Sequence, residues 1–253
     1  MTATFIKRPD QDGAAEAEAA GLRWLREASD AVVEVHDVTP HALSITRVDT
    51  VHPTAAAARQ AGRELARIHD AGAPAFGSPP SGWDGPNFIG TQRQECTPTA
   101  DWATFYTEQR VLPFARAAHL RGNLDAPGLQ LVERASASIG GTPAEVWGTT
   151  PARIHGDLWT GNLLFSAGGP VFIDPAAHGG HRETDLAMLA LFGAPHLEEI
   201  RAGYQEIAQL PEGWLEYTPV HQLHPLAVHA LTHGPSYGHA LVETARATLD
   251  LLR

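Results

Sequence analysis

Lysine is nearly missing from this chain. Of its 18 basic residues all but one are arginine, and the exception is Lys7. Cysteine occurs once, at Cys96, so no intrachain disulfide can form, which fits a reducing compartment. No apolar run is long enough to span a bilayer. The opening stretch MTATFIKRPDQDG has no apolar core of the kind a signal peptide needs. The expectation is a soluble, cytoplasmic protein that stays off membranes. Positive charge is also short: 18 basic residues face 29 acidic ones, a formal net charge of -11. That balance argues against a nucleic-acid backbone as partner and against adhesion to an anionic membrane surface. Small anionic substrates stay open, because a local pocket can oppose the global field.

What is present is a core. The 253 residues are 43% hydrophobic, enough for one large domain or for two lobes sharing a cleft. Apolar periodicity predicts a strand over 2–8, a helix over 14–29 and strands over 31–39 and 41–49 that meet at Thr39-Pro40. A helix over 53–72 follows, with Thr54 as N-cap and Gly72 as stop. Residues 74–98 are dense in glycine and proline and read as an ordered loop or an inter-lobe connection. Helical spacing returns at Asp101 and continues through Leu112, again over 129–139, and then over 184–191, 196–209, 216–231 and 237–252. The expected organisation is a small N-terminal lobe, 1–52, with strands and one helix, and a larger helical lobe, 53–253. No internal repeat is evident.

The segment ARIHGDLWTGNLLFSAGGPVFIDPA, residues 152–176, concentrates polar groups. His155, Asp157 and Asn162 form H-x-D-x-x-x-x-N, and Asp174 follows the apolar run PVFI. Between them SAGG supplies the backbone freedom of a hairpin turn. A hairpin from Leu163 to Ile173 sets Asn162 beside Asp174 and leaves Asp157 on the preceding loop. Phosphoryl transfer needs this set: one carboxylate to take or orient the proton of an attacking hydroxyl, and a second carboxylate with an amide oxygen to hold Mg²⁺ over nucleotide phosphates. Asp157 is the candidate base, Asn162 and Asp174 the candidate magnesium ligands, since hard oxygen donors suit that ion. His155 belongs to the catalytic loop as its organiser. The competing reading is a polar loop after a hairpin, with Asp157 as a helix cap.

HGDLWTGNLLF, IDPAAHGGHRETDLAMLALFG and PNFIG together resemble the fructosamine kinase (ketosamine-3-kinase) family, and the likeness runs from Thr4 onward. The resemblance implies an α+β, protein-kinase-like two-lobe fold related to the aminoglycoside phosphotransferases. It implies ATP- and Mg²⁺-dependent phosphorylation of the sugar 3-hydroxyl of ketosamines, with ribulosamines, erythrulosamines or fructosamines as substrates. The partners would be glycated small molecules or glycated protein lysines, and the outcome deglycation. FIK resembles the strand whose lysine binds phosphates, which selects Lys7. AEAAGLRWL resembles the helix whose glutamate pairs with that lysine, which selects Glu18. Glu16 points elsewhere on the same helix, so only one of the two can serve.

Thr46, Arg47 and Val48 then fall at the hinge, where backbone groups would meet the adenine edge. Asp185 resembles a residue that braces the catalytic loop; with Thr184 it also reads as a cap of its own helix. Trp159 either packs against the sugar or amine of a substrate or wedges the loop into the larger lobe. His178 is either a substrate-facing wall or a packing residue. Arg182, with Glu183, either borders the sugar pocket or forms a surface pair. His221, His224, His229 and His233 crowd the C-terminal region without zinc-ligand spacing, on a helix surface or facing substrate.

One departure stands out. The family pattern has a strand-loop-strand unit before the lysine strand, its loop covering the ATP phosphates. Here the sequence opens at MTATFIK, with no G-x-G-x-x-G run nearby. The expectation is a truncated small lobe of about three strands with an open sheet edge. Either a true start lies upstream or the protein is shortened and weakly active or inactive. Two nucleotide-binding rivals to the ketosamine reading follow: a phosphotransferase for another small alcohol, aminoglycoside- or choline-kinase-like, and an inactive nucleotide-binding kinase homologue. Beside them stands a metal-dependent hydrolase built from His155, Asp157, Asp174, His178 and His181, which leaves Asn162 and the Lys7–Glu18 pair without a role.

Overall fold

The computed structural model describes residues 3–253; Thr2, where the first expected strand begins, lies outside the described residues. In chain order these form β1 (Thr4–Lys7), α1 (Ala14–Arg26), β2 (Val35–Thr39), β3 (Ala42–Thr46), α2 (Ala55–Asp70), β4 (Asn87–Ile89), β5 (Gln92–Gln94), α3 (Trp102–Phe105), a π-helical turn (Tyr106–Val111), α4 (Leu112–Leu120), α5 (Ala126–Gly141), α6 (Ala144–Trp147), β6 (Ala152–Ile154), a 3-10 turn (Thr160–Asn162), β7 (Leu163–Ser166), β8 (Gly169–Phe172), β9 (His178–Gly180), α7 (Arg182–Leu191), α8 (Leu197–Gln205), a second 3-10 turn (Trp214–Tyr217), α9 (Thr218–His233) and α10 (Pro235–Leu251). The class is α+β. No helix among the described residues is long and apolar enough to cross a membrane.

The chain forms two compact units. The first joins the described residues up to Cys96 with Pro151–Leu210; the second joins Thr97–Thr150 with Pro211–Arg253. The sequence-based division after residue 52 lies inside the first unit, because α2 packs on α8, β6 and β8.

In the first unit β1, β3 and β2 make an antiparallel sheet in that order, with Lys7 opposite Leu43 and Thr4 opposite Thr46. Helix α1 buries Ala15, Ala19, Leu22 and Leu25, a stripe at helical spacing. Thr54 caps α2 as expected, its hydroxyl accepting from Ala57 N at 3.2 Å. Helices α2 and α8 cross where neither has a side chain. A Cβ on Gly62 would stand 1.9 Å from the Ile200 carbonyl oxygen, and one on Gly203 would stand 1.9 Å from that of Arg59. The glycine- and proline-rich stretch is not only loop. It contains the β4–β5 hairpin, whose buried Asn87 accepts from Gln94 Nε2 at 2.6 Å and donates to the Ala177 carbonyl at 3.1 Å.

The predicted hairpin around SAGG is β7–β8, with Leu163 opposite Phe172 and the turn at Ser166–Gly169. Strands β6 and β9 pair antiparallel, Ile154 opposite His178.

In the second unit α10 packs on α9 and α5, and α4 on α9, around Val132, Ile139, Val220, Leu223 and Leu241. The single helix expected from Asp101 is instead α3, the π-helical turn and α4, with Pro113 at the start of α4. Trp102 stacks on Tyr106 at 4.7 Å. His221 and His224 are buried in α9, His229 is half-buried and His233 exposed, so the histidine-rich stretch is spread around one helix.

Candidate active site

The β7–β8 register brings the two ends of the polar segment together. Asn162 precedes β7, Asp174 follows β8, and the Asn162 carbonyl accepts from Ile173 N at 3.1 Å. The Asn162 side-chain nitrogen donates to the Asp157 carbonyl at 2.8 Å, to Asp157 Oδ2 at 3.3 Å and to the Asp174 carbonyl at 3.2 Å. One amide therefore ties Asp157 to Asp174, and its orientation turns Oδ1 away from those acceptors. Asp174 itself has φ 56, a left-handed conformation that a residue with a Cβ adopts at a cost. Gly156, just before Asp157, has φ 80, and a Cβ there would lie 2.4 Å from the Ala176 carbonyl oxygen. Only glycine fits between His155 and Asp157.

Lys7 reaches this cluster from β1. Its Nζ donates to both Glu18 oxygens at 2.6 and 2.7 Å and lies 2.9 Å from Asp174 Oδ1. Burial works to lower the Lys7 pKa, but Glu18 and then Asp174 outweigh it and hold the ammonium above its ordinary range. Burial pushes the Glu18 carboxyl up, with Lys7 opposing. Glu18 rather than Glu16 makes the pair. The Asp157 carboxyl is pushed up to about 8, first by burial and then by the charges of Asp174 and Asp185, with the Asn162 bond opposing.

Behind the loop, His155 is buried with both ring nitrogens engaged. Nε2 donates to the Ile173 carbonyl at 2.8 Å, and Nδ1 accepts from Asp157 N at 3.3 Å. It holds the loop and offers no nitrogen for proton transfer. Asp185, buried in the first turn of α7, accepts from His155 N at 2.7 Å and Gly156 N at 2.9 Å. It does not cap α7; His181 does, its Nδ1 accepting from Glu183 N at 3.3 Å.

Lys7, Glu18, Asn87, Asp157, Asn162 and Asp174 face one cavity of about 680 Å³. Trp159 lines it too, 41% exposed, so it is a wall rather than a wedge. Five other expected residues are elsewhere. His178 is buried in β9, donating to the Ala176 carbonyl at 2.7 Å, and does not line this cavity. Arg182 also stands off the cavity, paired with Asp70 at 3.0 Å and donating to the Tyr204 hydroxyl at 3.2 Å. Thr46, Arg47 and Val48 line a different depression, with Val32 and the Ser166–Gly168 turn. The N–H groups of Thr46 and Arg47 are committed to the Glu34 and Ala3 carbonyls, each at 2.9 Å.

The sequence reading missed the β4–β5 hairpin, which brings Phe88, Gly90 and Thr91 to the cavity. It also missed His69 and Tyr204, which stand behind Asp185. A signal for His69 existed: it sits on the stripe of α2 that buries Leu65 and Ile68, where a histidine needs partners.

The donor set fits a hard divalent cation. Asp174 and Asn162 both line the cavity, and a carboxylate and an amide oxygen are both hard oxygen donors. Glu18, Asp157 and Asp174 bring three carboxyl groups to a cavity that holds the ammonium of Lys7.

A family model described as fructosamine kinase matches residues 3–251. An Enterococcus faecium protein named a probable ketoamine kinase is 35% identical over 197 residues, which is 76% of this chain and 67% of the relative. The matched stretch spans from 55% to 78% of the length of such curated relatives, and less than two thirds of most of them. A solved structure from Thermobifida fusca, described as a fructosamine-3-kinase, superimposes with a TM-score of 0.90 at 44% identity, covering 98% of this chain and 86% of that one. The aminoglycoside phosphotransferase APH(4)-Ia shares the fold, with a TM-score of 0.66 at 15% identity over 98% of this chain and 87% of that one.

Proposed function

The chain belongs to the fructosamine kinase family, and from that premise we propose that it is an ATP-dependent kinase of ketosamines, acting on the sugar 3-hydroxyl. The observation that carries this reading is the single amide of Asn162 holding Asp157 and Asp174 together while Lys7 pairs with Asp174. These residues line one cavity, and in this reading Asp157 serves as base, Asn162 and Asp174 as oxygen donors and Lys7 as the phosphate-binding cation.

In this reading the substrate hydroxyl approaches Asp157, which orients it and takes its proton. The sugar oxygen bonds to the γ-phosphorus, the bond to the β–γ bridging oxygen breaks, and ADP leaves. Lys7, steered by Glu18, contacts the nucleotide phosphates. Asn162 Oδ1 and the Asp174 carboxylate would hold Mg²⁺, which would supply neutralisation of phosphate charge. A divalent cation held there would favour the ionised form of Asp157 that a base requires. Trp159 offers a flat apolar face to the sugar or its amine substituent. Ribulosamines, erythrulosamines and fructosamines on small amines or on protein lysines form the substrate class, and loss of the phosphorylated adduct makes the outcome deglycation. The cytoplasm, where Cys96 stays reduced, is the proposed setting.

The test is mass-resolved phosphotransfer from ATP and Mg²⁺ to a ribulosamine and a fructosamine, with Asp157→Asn as control. Transfer by the wild type that the variant loses supports the reading. Transfer only to another small alcohol, or nucleotide binding without transfer, replaces it with one of its two nucleotide-binding rivals.

A further inference from the structure

The polar chain behind Asp157 does not stop at Asp185. Asp185 Oδ2, besides holding His155 N, lies 3.0 Å from His69 Nε2. His69 Nδ1 lies 2.8 Å from the Tyr204 hydroxyl. The Tyr204 oxygen accepts from Arg182, which is anchored on Asp70. His69, Asp185 and Tyr204 are at most 1% exposed. We propose that Tyr204 is a positioning residue for phosphotransfer: its hydroxyl fixes the tautomer of His69, His69 orients Asp185, and Asp185 holds the backbone that carries Asp157. The inference rests on the role given to Asp157 above.

The direction of every bond in the chain is forced. Asp185 already accepts two backbone N–H groups, and an ionised carboxylate can only accept. His69 must then donate through Nε2, which leaves the lone pair on Nδ1. Tyr204 must donate its one hydroxyl proton to that lone pair. Its oxygen is then free to accept from Arg182, which can only donate. Burial lowers the His69 pKa and keeps the ring neutral, in accord with this single tautomer.

The backbone makes the relay possible. His69 is on α2 and Tyr204 on α8, next to Gly203. The glycine contacts at Gly62 and Gly203 let the two helices approach closely enough for a tyrosine to reach a histidine ring edge-on, with centroids 5.5 Å apart. Neither residue lines the catalytic cavity, so neither touches substrate. What they govern is the placement of two N–H groups immediately before the base. There Gly156 leaves the loop no side chain of its own to pack. Without the Tyr204 proton, His69 Nδ1 is buried without a donor. The ring then gains freedom to turn or to take a proton, and Asp185 loses the partner that aims it.

The experiment compares Tyr204→Phe, His69→Leu and His69→Gln with wild type for kcat, KM, thermal midpoint and amide exchange. The Gln side chain can place an N–H where His69 Nε2 was, whereas Leu cannot. Tyr204→Phe and His69→Leu are expected to lower kcat roughly ten- to a hundred-fold with KM for ATP nearly unchanged, as expected of a misplaced catalytic group. His69→Gln is expected to recover most of that loss. Exchange at the His155 and Gly156 amides should quicken in Tyr204→Phe relative to amides in the middle of α5. A lowered midpoint with unchanged kcat, equal losses for Gln and Leu, or unchanged exchange at His155 and Gly156 overturns the proposal. If wild type transfers no phosphate, the reading of Asp157 fails, and the exchange comparison alone decides whether the relay exists.

Discussion

The ammonium of Lys7 and the carboxylate of Asp174 stand 2.9 Å apart, joining β1 to the far end of the β7–β8 hairpin. The same ammonium binds Glu18 at 2.6 Å, so one cation separates two carboxylates that would otherwise repel. Both partners of the Lys7–Glu18 pair are largely buried, which makes the lysine a structural element as well as, on the function proposed above, a ligand for phosphate.

Replacing Lys7 by Met leaves Glu18 buried against Asp174 without a counter-charge. Thermal or denaturant unfolding should show a loss of about 2–3 kcal/mol, less than for a fully buried pair because solvent reaches the edge of the site. Adding Glu18→Gln should restore most of that stability and none of the phosphotransfer. A double variant as unstable as Lys7→Met would refute the charge argument.

Asp157 gives a pH signature with a defined sign. Its carboxyl titrates near 8 in the folded protein, above its ordinary 3.8. Folding therefore favours the protonated form. The associated stability is complete below about pH 4 and is lost as pH rises toward 8. Asp157→Asn removes that loss. The variant and wild type should unfold alike near pH 4. Without nucleotide or divalent cation, the variant should be the more stable by a few kcal/mol, on the order set by such a shift, at pH 8. Its phosphotransfer should fall about a hundredfold or more, the usual worth of a general base.

Chelation should separate fold from function. EDTA should abolish transfer and shrink the stabilisation that ATP confers, while the thermal midpoint without nucleotide changes little. Asn162→Ala should mimic the loss of metal dependence and also lower the midpoint, because its amide ties Asp157 to Asp174. Mg²⁺ titration of the ATP-induced thermal shift is the measurement.

Gly62→Ala should cost about 3 kcal/mol, the upper end for overpacking. The new methyl would meet the Ile200 carbonyl rather than a side chain that can move. An Ala variant at Gly140, where nothing lies within 4 Å of a Cβ, is the control and should be neutral or slightly stabilising. Equilibrium unfolding of both decides the point.

Sequence reasoning reached the parts of the site that lie close together along the chain. The spacing from His155 to Asn162, the SAGG turn and Asp174 lie within twenty residues, so a single hairpin rule set their geometry. Lys7 and Glu18 came from the family likeness, and their meeting was a matter of one strand and one helix. What escaped was non-local. His69 and Tyr204 meet only because two glycines let α2 and α8 touch. β4 and β5 are three-residue strands inside a glycine- and proline-rich stretch, too short for alternation to register. Arg182 and His178 each carried two readings in the sequence, a substrate-facing one and a packing or surface one, and α7 and β9 turn them to Asp70 and to the Ala176 carbonyl. Of the backbone groups at 46–48 expected to meet the adenine edge, the N–H donors of Thr46 and Arg47 are spent on Glu34 and Ala3.

The Lys7 ion pairs carry one more consequence. An amine attacks a sugar carbonyl only in its unprotonated form. Lys7 is the only side-chain amine in the chain, and Glu18 and Asp174 hold it as ammonium beyond the range of an ordinary lysine. An enzyme that works among reducing sugars and their adducts, on the function proposed above, thus presents them with one lysine, and that one chemically silenced by its own active site. Arginine carries the remaining charge of the surface, and its guanidinium forms no such ketosamine.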